Sequence, residues 1–244
     1  MGQDRFLSGK TAVVTGASAG IGRATARRLA AEGANVVLAS RRAGRLGELA
    51  DEINRSAAGG RALPVATDVG REEEVVRLAE ATRREFGAVD ILVNSAGRGY
   101  FAKSAEIDAQ QVEELMRVNF LGAVLCTKHM VRDMTARRTG AVVIINSVSG
   151  KRGWAGGTPY VATKFALRGF ALCLWAEVHA HNVRVISLYP DYVASEFYDA
   201  AGLQVSGIEK AISPEDLAEL VSGALRLGEG TSVVELDVWP TNME

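Results

Sequence analysis

The chain has 244 residues, of which 28 are basic and 29 acidic, so its formal net charge at neutral pH is −1. This near-balance argues against a protein whose main partner is nucleic acid or an anionic membrane surface. Hydrophobic residues make up 48% and charged residues 23%, which is typical of a globular domain rather than of a disordered or fibrous chain. The length suits one α/β domain, and we expect residues 1–244 to form it.

The cysteines and the N-terminus indicate a cellular compartment. Cys126 and Cys173 are too few for a disulfide framework, which favours a reducing environment, and both lie in apolar helical stretches that predict buried, unreactive thiols. The first ten residues have no apolar run after their charges, which argues against a signal peptide. No stretch approaches the roughly 18 apolar residues that a membrane span requires. We therefore expect a cytoplasmic protein without a membrane or nucleic-acid partner.

Short apolar runs alternate with longer amphipathic stretches along the whole chain. Most of the runs lack polar alternation, as parallel strands do when both faces of their sheet are covered. The predicted strands are residues 12–14, 36–39, 63–66, 91–93, 141–145, 183–188 and 233–238. Helical patterns separate the strands. The last predicted helix begins with Ser213 as its N-cap and Pro214 as its first residue. The pattern predicts a doubly wound α/β fold with a seven-stranded parallel sheet.

A glycine-rich segment, TGASAGIG at residues 15–22, follows the first strand and leads into a helix. Glycines at such a turn let the backbone approach a ligand, and the helix N-terminus presents N–H groups to a phosphate. The spacing differs from G-x-G-x-x-G, so a glycine-rich turn without a ligand stays open. The segment also fits the G-x-S-x-G nucleophile elbow of α/β hydrolases, with Ser18 as nucleophile. The missing upstream oxyanion loop and the lack of an acid beside His179 or His181 count against that hypothesis.

The second strand is followed by Ser40, Arg41 and Arg42, where a fold that prefers NAD usually carries Asp or Glu. Two arginine forks suit the 2′-phosphate of NADP. The alternative is a solvated helix start, continued by Arg45. The sequence favours NADP over NAD.

Tyr160 and Lys164 stand four residues apart at the start of a predicted helix, so both can reach one pocket. A free tyrosine has a pKa of about 10, and a neighbouring ammonium favours the phenolate. Ser147 ends the strand at residues 141–145 and faces the same edge of the sheet, and Asn119 lies inside a predicted helix at residues 109–136. By itself the Tyr-Lys spacing is a weak signal, because many helices carry such a pair by chance, and a surface pair is the alternative.

Together these motifs resemble the short-chain dehydrogenase/reductase family, over essentially the whole chain. The matching segments, in the family's order, are TGASAGIG at 15–22, Asp68-Val69, Asn94-Ser95-Ala96-Gly97, Asn119, Ser147 and YVATK at 160–164. The resemblance implies a Rossmann-type sheet, a nicotinamide cofactor and a Ser-Tyr-Lys-Asn catalytic set.

By that resemblance Tyr160 is the general acid/base, and Lys164 lowers its pKa and holds the nicotinamide ribose. Ser147 hydrogen-bonds the substrate oxygen, and Asn119 supports a proton relay through water. Asp68 meets the adenine, residues 94–97 line the ribose, and Pro190, Val193 and Ser195 hold the carboxamide. The full set of expected cofactor contacts is Gly16, Ser18, Gly20, Ile21, Gly22, Ser40, Arg41, Arg42, Asp68, Val69, Asn94, Ala96, Gly97, Tyr160, Lys164, Pro190, Val193 and Ser195.

Two positions depart from the family's pattern. Ser95 replaces the second asparagine of Asn-Asn-Ala-Gly, and Asp191 replaces the glycine of Pro-Gly. Asp191 either faces the substrate or caps a turn. The ending at residues 235–241 resembles NADP-dependent reductases of ketones and 3-hydroxy acids more than 3-oxoacyl-carrier-protein reductases. Four residues either line a pocket or pack on the core: Trp154, Phe197, Tyr198 and Leu203.

These observations predict an NADP(H)-dependent oxidoreductase that interconverts a small-molecule carbonyl compound and an alcohol. A non-enzymatic dinucleotide-binding regulator on the same fold is the alternative, but it has no need of Ser147, Tyr160 and Lys164 together. Cys126 and His129 share a helix face, yet two ligands do not make a zinc site, so we expect no metal. Apolar residues around most of the circumference of the helices at 109–136 and 160–179 predict a homodimer or homotetramer.

Overall fold

The computed structural model describes residues 5–56, 59–228 and 230–241. Residues 1–4, which belong to the segment that argued against a signal peptide, lie outside the described residues. So do residues 57, 58, 229 and 242–244 of the single domain expected over the whole chain.

Seven parallel strands form one sheet, which confirms the predicted fold class. The strands are β1 (Thr11–Thr15), β2 (Asn35–Ser40), β3 (Ala62–Ala66), β4 (Ile91–Asn94), β5 (Gly140–Ile145), β6 (Val183–Pro190) and β7 (Glu235–Val238). Their order across the sheet is β3-β2-β1-β4-β5-β6-β7. The chain reverses its direction of travel across the sheet between β1 and β4, and doubly wound sheets bind ligands at that point.

Helices cover both faces of the sheet. They are α1 (Gly20–Ala31), α2 (Ala43–Arg55), α3 (Glu72–Phe86), α4 (Ala109–Met116), α5 (Gly122–Arg137), α6 (Thr158–Val178), α7 (Phe197–Ala200) and α8 (Pro214–Arg226). One apolar core lies under α1, α2 and α8, and the other under α3, α5 and α6. Successive strand residues such as Val13 and Val14 belong to opposite cores, because strand side chains alternate between faces.

The structure refines two predicted elements and agrees with the predicted start of α8. The helix predicted at residues 109–136 is interrupted by a π-helical turn at Arg117–Leu121, a feature common at functional sites. The last strand begins at Glu235 rather than at residue 233, because only four of its residues pair with the end of β6. Ser213 caps α8 as expected, since its hydroxyl accepts a hydrogen bond from the Asp216 N–H at 3.0 Å.

The two cysteines differ in their surroundings. Cys126 is buried on α5, and burial raises the pKa of its thiol to about 12. The expectation of burial is wrong for Cys173, which is exposed on α6. The residues of α6 that face the sheet are Leu167, Ala171, Leu174 and Val178, spaced at helical intervals, and Cys173 falls on the opposite side.

Within the described residues, none of the helices is long and apolar enough to cross a membrane. The same residues contain no group of three or more His, Cys, Asp or Glu side chains arranged to hold a metal ion.

Candidate active site

A cleft of about 1000 Å³ opens at the carboxyl ends of the strands, where β1 and β4 lie side by side. It collects nearly all of the residues predicted from the sequence. The predicted residues that line it are Gly16, Ser18, Gly20, Ile21, Gly22, Ser40, Arg41, Arg42, Asp68, Val69, Ala96, Gly97, Ser147, Tyr160, Lys164, Pro190, Val193 and Ser195. Asn94 and Asn119 are buried behind the lining rather than in it.

The glycine-rich segment packs against the loop that follows β4. Gly16 has φ +69°, and a Cβ there would lie 2.8 Å from the Ser95 carbonyl oxygen. A Cβ at Gly22 would lie 2.5 Å from the Gly16 carbonyl oxygen, so neither position accepts a side chain. The N-cap of α1 is Ala19, which provides no side-chain acceptor for the first N–H groups of the helix. Gly20, Ile21 and Gly22, which carry the first N–H groups of the helix, line the cleft, and such uncapped donors fit a phosphate.

The loop after β4 is held from below by one hydroxyl. Thr15 Oγ1 accepts hydrogen bonds from the backbone N–H groups of Ser95 at 3.0 Å and Ala96 at 3.1 Å, and donates to the Val93 carbonyl oxygen. Asn94 donates from Nδ2 to Thr127 Oγ1, whereas its buried Oδ1 has no partner within the described residues. The departure at Ser95 leaves this backbone arrangement unaffected, because Ser95 contributes its N–H.

The arginines after β2 take different positions. Arg42 Nε donates to the Ser18 hydroxyl at 2.9 Å, and Arg42 Nη1 lies 3.3 Å from the carboxylate of Glu196. Arg45 pairs with the same carboxylate at 2.6 Å. Arg41 lines the cleft and forms no ion pair with any described residue. The two arginines are therefore not equivalent. The Arg41 guanidinium has no ion-pair partner among the described residues, whereas the Arg42 guanidinium contacts Ser18 and Glu196.

The Ser18 hydrolase hypothesis requires a general base beside the hydroxyl. The nearest polar partner of Ser18 is the Arg42 guanidinium, a cation that cannot take its proton. The described lining of the cleft contains no histidine. His129 contacts Glu72, and His179 stacks on Trp175, both away from the cleft. The described residues therefore supply no triad to Ser18.

Asp68 contacts a residue that the sequence did not single out. Its two carboxylate oxygens lie 3.2 and 3.1 Å from the guanidinium nitrogens of Arg117, and one also accepts from the Gly70 N–H. Burial alone would raise the pKa of Asp68, but the Arg117 hydrogen bonds and the Gly70 N–H outweigh it and lower that pKa. The carboxylate is therefore ionised at neutral pH and held at the edge of the cleft. The signal in the sequence was an arginine two residues before Asn119.

Tyr160, Ser147 and Lys164 meet at the centre of the cleft. Tyr160 lies in the first turn of α6, and Ser147 follows β5. Burial raises the pKa of Tyr160 above its ordinary value and the Tyr198 phenol adds to this, while a hydrogen bond with Ser147 opposes it. Burial also lowers the pKa of Lys164 to about 8.

The expected effect of Lys164 on Tyr160 is not seen in the described chain. Lys164 Nζ donates to the Ile145 carbonyl oxygen at 3.1 Å and lies 5.6 Å from the centre of the Tyr160 ring. Desolvation therefore dominates, and the pKa of Tyr160 rises instead of falling. The buried phenol is protonated at neutral pH, which is the form that donates a proton.

Asn119 sits in the π-helical turn and is fully engaged. Its Oδ1 accepts from the Arg98 N–H at 2.9 Å, and its Nδ2 donates to the Arg98 carbonyl oxygen at 3.0 Å. The Nδ2 group also donates to Thr163 Oγ1 at 3.2 Å. Asn119 thus joins the loop after β4 to α6, where its partner Thr163 directly precedes Lys164. The sequence did not predict that Arg98 and Thr163 would hold Asn119.

Aromatic side chains enclose the end of the cleft beyond Tyr160. The Phe101 ring centre lies 5.4 Å from that of Tyr160 and 5.4 Å from that of Trp154. Phe197 lies 5.6 Å from Tyr160 and in edge contact with Tyr198. Of the two alternatives for Trp154, Phe197, Tyr198 and Leu203, the structure supports a pocket lining.

Comparison with known proteins gives this site a context. A family model described as short chain dehydrogenase matches residues 10–205. The chain is 36% identical over 241 residues to a glycine betaine reductase of Emericella nidulans, covering 96% of this chain but only 19% of that protein's length. It is 35% identical to an uncharacterised oxidoreductase of Staphylococcus saprophyticus, over 96% of this chain and 98% of that one.

A solved structure shares the architecture. It is an alcohol dehydrogenase from the archaeon Thermococcus sibiricus in complex with 5-hydroxy-NADP. The TM-score is 0.89 with 30% sequence identity, and the match covers 96% of this chain and 98% of that one. With the parallel sheet, the glycine-rich cleft and the Ser-Tyr-Lys cluster, these matches show that the chain belongs to the short-chain dehydrogenase/reductase family.

Proposed function

We propose that the chain is an NADP(H)-dependent oxidoreductase that interconverts a ketone or aldehyde and an alcohol by hydride transfer, with Tyr160 as general acid/base. The observation that carries this proposal is the position of the buried Tyr160 phenol. It lies beside Ser147 and Lys164, where the glycine-rich half of the cleft meets the aromatic half. A cofactor in one half and a carbonyl compound in the other would meet at this hydroxyl.

The residues present fit a dinucleotide with a 2′-phosphate. The donors at the start of α1 and the two glycines that admit no Cβ suit a pyrophosphate. Arg41 provides a free guanidinium where the 2′-phosphate would lie. Asp68 and Val69 would border the adenine, residues 94–97 the ribose, and Pro190, Val193 and Ser195 the carboxamide. When bound, the nicotinamide ring supplies or accepts the hydride.

The chain's own residues then handle the proton and the orientation of the substrate. Tyr160 is protonated at neutral pH and donates to the oxygen that develops negative charge during reduction. Ser147 would hydrogen-bond the same oxygen, and Lys164 would hold the ribose and favour the phenolate after the transfer. Asn119 holds the loop after β4 and α6 together. We propose that Asn119 also supports a proton relay through water.

The test is NADPH oxidation, followed by absorbance, with a panel of ketones and aldehydes. Tyr160→Phe keeps the ring and removes the proton donor, so we expect turnover to fall by roughly 10²- to 10⁴-fold. NADPH binding should stay within a few fold. Tyr100→Phe is the matched control, because Tyr100 lies outside the described cleft lining and its hydroxyl contacts the Asp108 N–H. NADPH binding without turnover of any carbonyl would instead indicate the non-enzymatic regulator.

We also propose a cytoplasmic homodimer or homotetramer. Two unpaired cysteines suit a reducing compartment. Three large apolar side chains, Leu121, Phe165 and Leu172, are about 40% exposed on the π-helical turn and α6. The same helices in a second copy would cover them in a two-fold contact. Such a contact would lie behind Asn119 and Tyr160 and would hold both in place.

A further inference from the structure

The pocket beyond Tyr160 presents aromatic rings on several sides. The ring centres of Phe101 and Phe197 are 6.4 Å apart, and each lies within 5.6 Å of Tyr160. Trp154 and Tyr198 continue this wall. Aromatic faces carry a negative quadrupole and attract ammonium groups, and several rings around one space are the arrangement that holds quaternary ammonium ligands.

A carboxylate stands in the same pocket. Asp191 follows the last residue of β6, at a position where the family pattern has glycine, and its N–H donates to the Val238 carbonyl oxygen at 2.9 Å. Its side chain is only 16% exposed and lines the cavity near Tyr198. The carboxylate contacts Arg152, and no backbone N–H of the described residues donates to it, so these residues do not support the turn-capping alternative.

Arg152 neutralises this carboxylate incompletely. Arg152 Nη2 lies 3.4 Å from Asp191 Oδ2, longer than the roughly 2.7–2.9 Å of a strong charged hydrogen bond. The guanidinium also packs on a second partner, because its carbon lies 4.2 Å from the centre of the Trp239 ring. The Arg152 side chain is 54% exposed. Burial raises the pKa of Asp191, and Arg152 only partly opposes this. Of the two charged groups, the Asp191 carboxylate is less exposed to solvent than the Arg152 guanidinium.

An anionic substrate would need a free cation in the pocket instead. Arg98 lines the cleft, but its Nη2 donates to Gln111 at 2.9 Å and its Nη1 lies 3.8 Å from Glu114. Arg152 is stacked on Trp239 at the mouth. Neither guanidinium projects uncommitted among the rings, so the charges favour a positive group over a negative one.

We infer that the pocket selects carbonyl or alcohol substrates that carry a positively charged ammonium group. Asp191 is the ionic partner of that group, and the rings of Phe101, Trp154, Phe197 and Tyr198 surround its N-methyl or N–H groups. This inference rests on the proposed function, because it names the substrate class of the same site. Asp191 is a specificity-determining residue, while Tyr160 keeps the proton transfer.

The test compares two ketones of the same shape, trimethylammonioacetone and 4,4-dimethylpentan-2-one, which differ only in the charge of the quaternary atom. The anionic ketone 4-oxopentanoate is the third probe. We measure kcat/KM for each with NADPH at pH 7.5 in the wild type and in Asp191→Asn. The ammonium group activates its own carbonyl, so the effect of the variant on the ratio of the two isosteric ketones is the decisive readout.

We expect Asp191→Asn to lower the ratio of cationic to neutral kcat/KM by about tenfold or more, mainly through KM. Asp191→Gly, which restores the family residue, should lower it similarly. Asp199→Asn is the matched control, since Asp199 is exposed on α7 and outside the described lining, and it should leave the ratio unchanged. Thermal unfolding checks that each variant is folded.

Three results would overturn the inference while the proposed function stands. One is an unchanged ratio in folded Asp191→Asn and Asp191→Gly. Another is a wild type that prefers 4-oxopentanoate. The third is a wild type that reduces other carbonyl compounds with NADPH but not the cationic ketone. If NADPH reduces no carbonyl compound of any charge, the proposed function itself fails, which is a distinguishable outcome.

Discussion

Arg117 and Asp68 form a two-point ion pair that joins the edge of the cleft after β3 to the π-helical turn of Asn119. The guanidinium nitrogens lie 3.2 and 3.1 Å from the two carboxylate oxygens, and Glu114 holds the same guanidinium at 2.7 and 2.9 Å. Hydrogen bonds with Glu114 and Asp68 raise the pKa of Arg117, and hydrogen bonds with Arg117 help to lower the pKa of both carboxyl groups. The loop after β3 and the π-helical turn of Asn119 are therefore coupled through one side chain.

Replacing Arg117 should affect both ends of this link. Arg117→Met keeps the aliphatic stem but leaves Asp68 and Glu114 as neighbouring unpaired carboxylates. We expect the free energy of unfolding to fall by about 1–3 kcal/mol and the KM for NADPH to rise. Thermal unfolding and steady-state kinetics measure the two effects. Arg71→Met removes a more exposed guanidinium 3.8 Å from Asp68 and should do little; equal effects of the two variants would contradict the coupling.

Lys164 should destabilise the folded protein near neutral pH. Burial lowers its pKa from 10.5 to about 8, so the ammonium costs up to about 3 kcal/mol in the fold. The lost hydrogen bond to Ile145 offsets about 1 kcal/mol. We therefore expect inactive Lys164→Met to be about 2 kcal/mol more stable at pH 7.

The stability advantage of Lys164→Met over the wild type should depend on pH. The penalty is complete below pH 8 and decreases as the pH rises through 10.5, above which the lysine is neutral in both states. Urea unfolding across this range should show the advantage of Lys164→Met decreasing. The exposed Lys103→Met is the control and should show no such trend. A variant less stable than wild type at every pH would refute the assignment.

Arg41 should determine the choice of cofactor. Arg41→Asp replaces the uncommitted guanidinium by a charge that repels a 2′-phosphate, so we expect kcat/KM to shift from NADPH toward NADH by about 10- to 100-fold. Arg55→Asp makes the same charge change at the end of α2 and should not alter the preference. A wild type that already uses NADH better than NADPH would rule out the role of the arginines.

Glu196 should weaken the binding of the 2′-phosphate of NADPH. Its carboxylate lies 3.3 Å from Arg42 and 2.6 Å from Arg45, so it competes with a 2′-phosphate for the Arg42 guanidinium. We expect Glu196→Gln to lower the KM for NADPH several fold and to leave that for NADH unchanged. Glu209→Gln, an exposed carboxylate in the same part of the chain, is the control. The competition is excluded if both cofactors respond equally.

The exposed apolar side chains on α6 should mark a subunit contact. Phe165→Glu with Leu172→Glu places two charges where we propose that a second copy packs, so light scattering should show a smaller species with reduced turnover. Leu227→Glu changes a side chain of similar exposure elsewhere and should keep the assembly. An active wild-type monomer at micromolar concentration would show that no assembly is needed.

The sequence by itself was sufficient for the strands, for their parallel arrangement and for most of the cleft. Continuous apolar runs such as residues 141–145 indicate strands covered on both faces, and the positions of Gly16 and Gly22 follow from the need to omit a side chain. The helical repeat of 3.6 residues puts Tyr160 and Lys164 on one helix face, but it was the resemblance to the family that assigned them a role. All of these depend on residue types and their spacing along the chain, which a sequence contains.

Tertiary structure alone decided the electrostatics and the partners of the site. Whether Arg117 reaches Asp68, 49 positions away, depends on how a π-helical turn packs against the loop after β3. The rise in the pKa of Tyr160 depends on the water that its neighbours exclude, and only the folded chain places Asp191 in the same cleft as Phe101, Trp154 and Phe197. Burial and charge interactions are properties of distances between remote residues, and only the folded chain sets those distances.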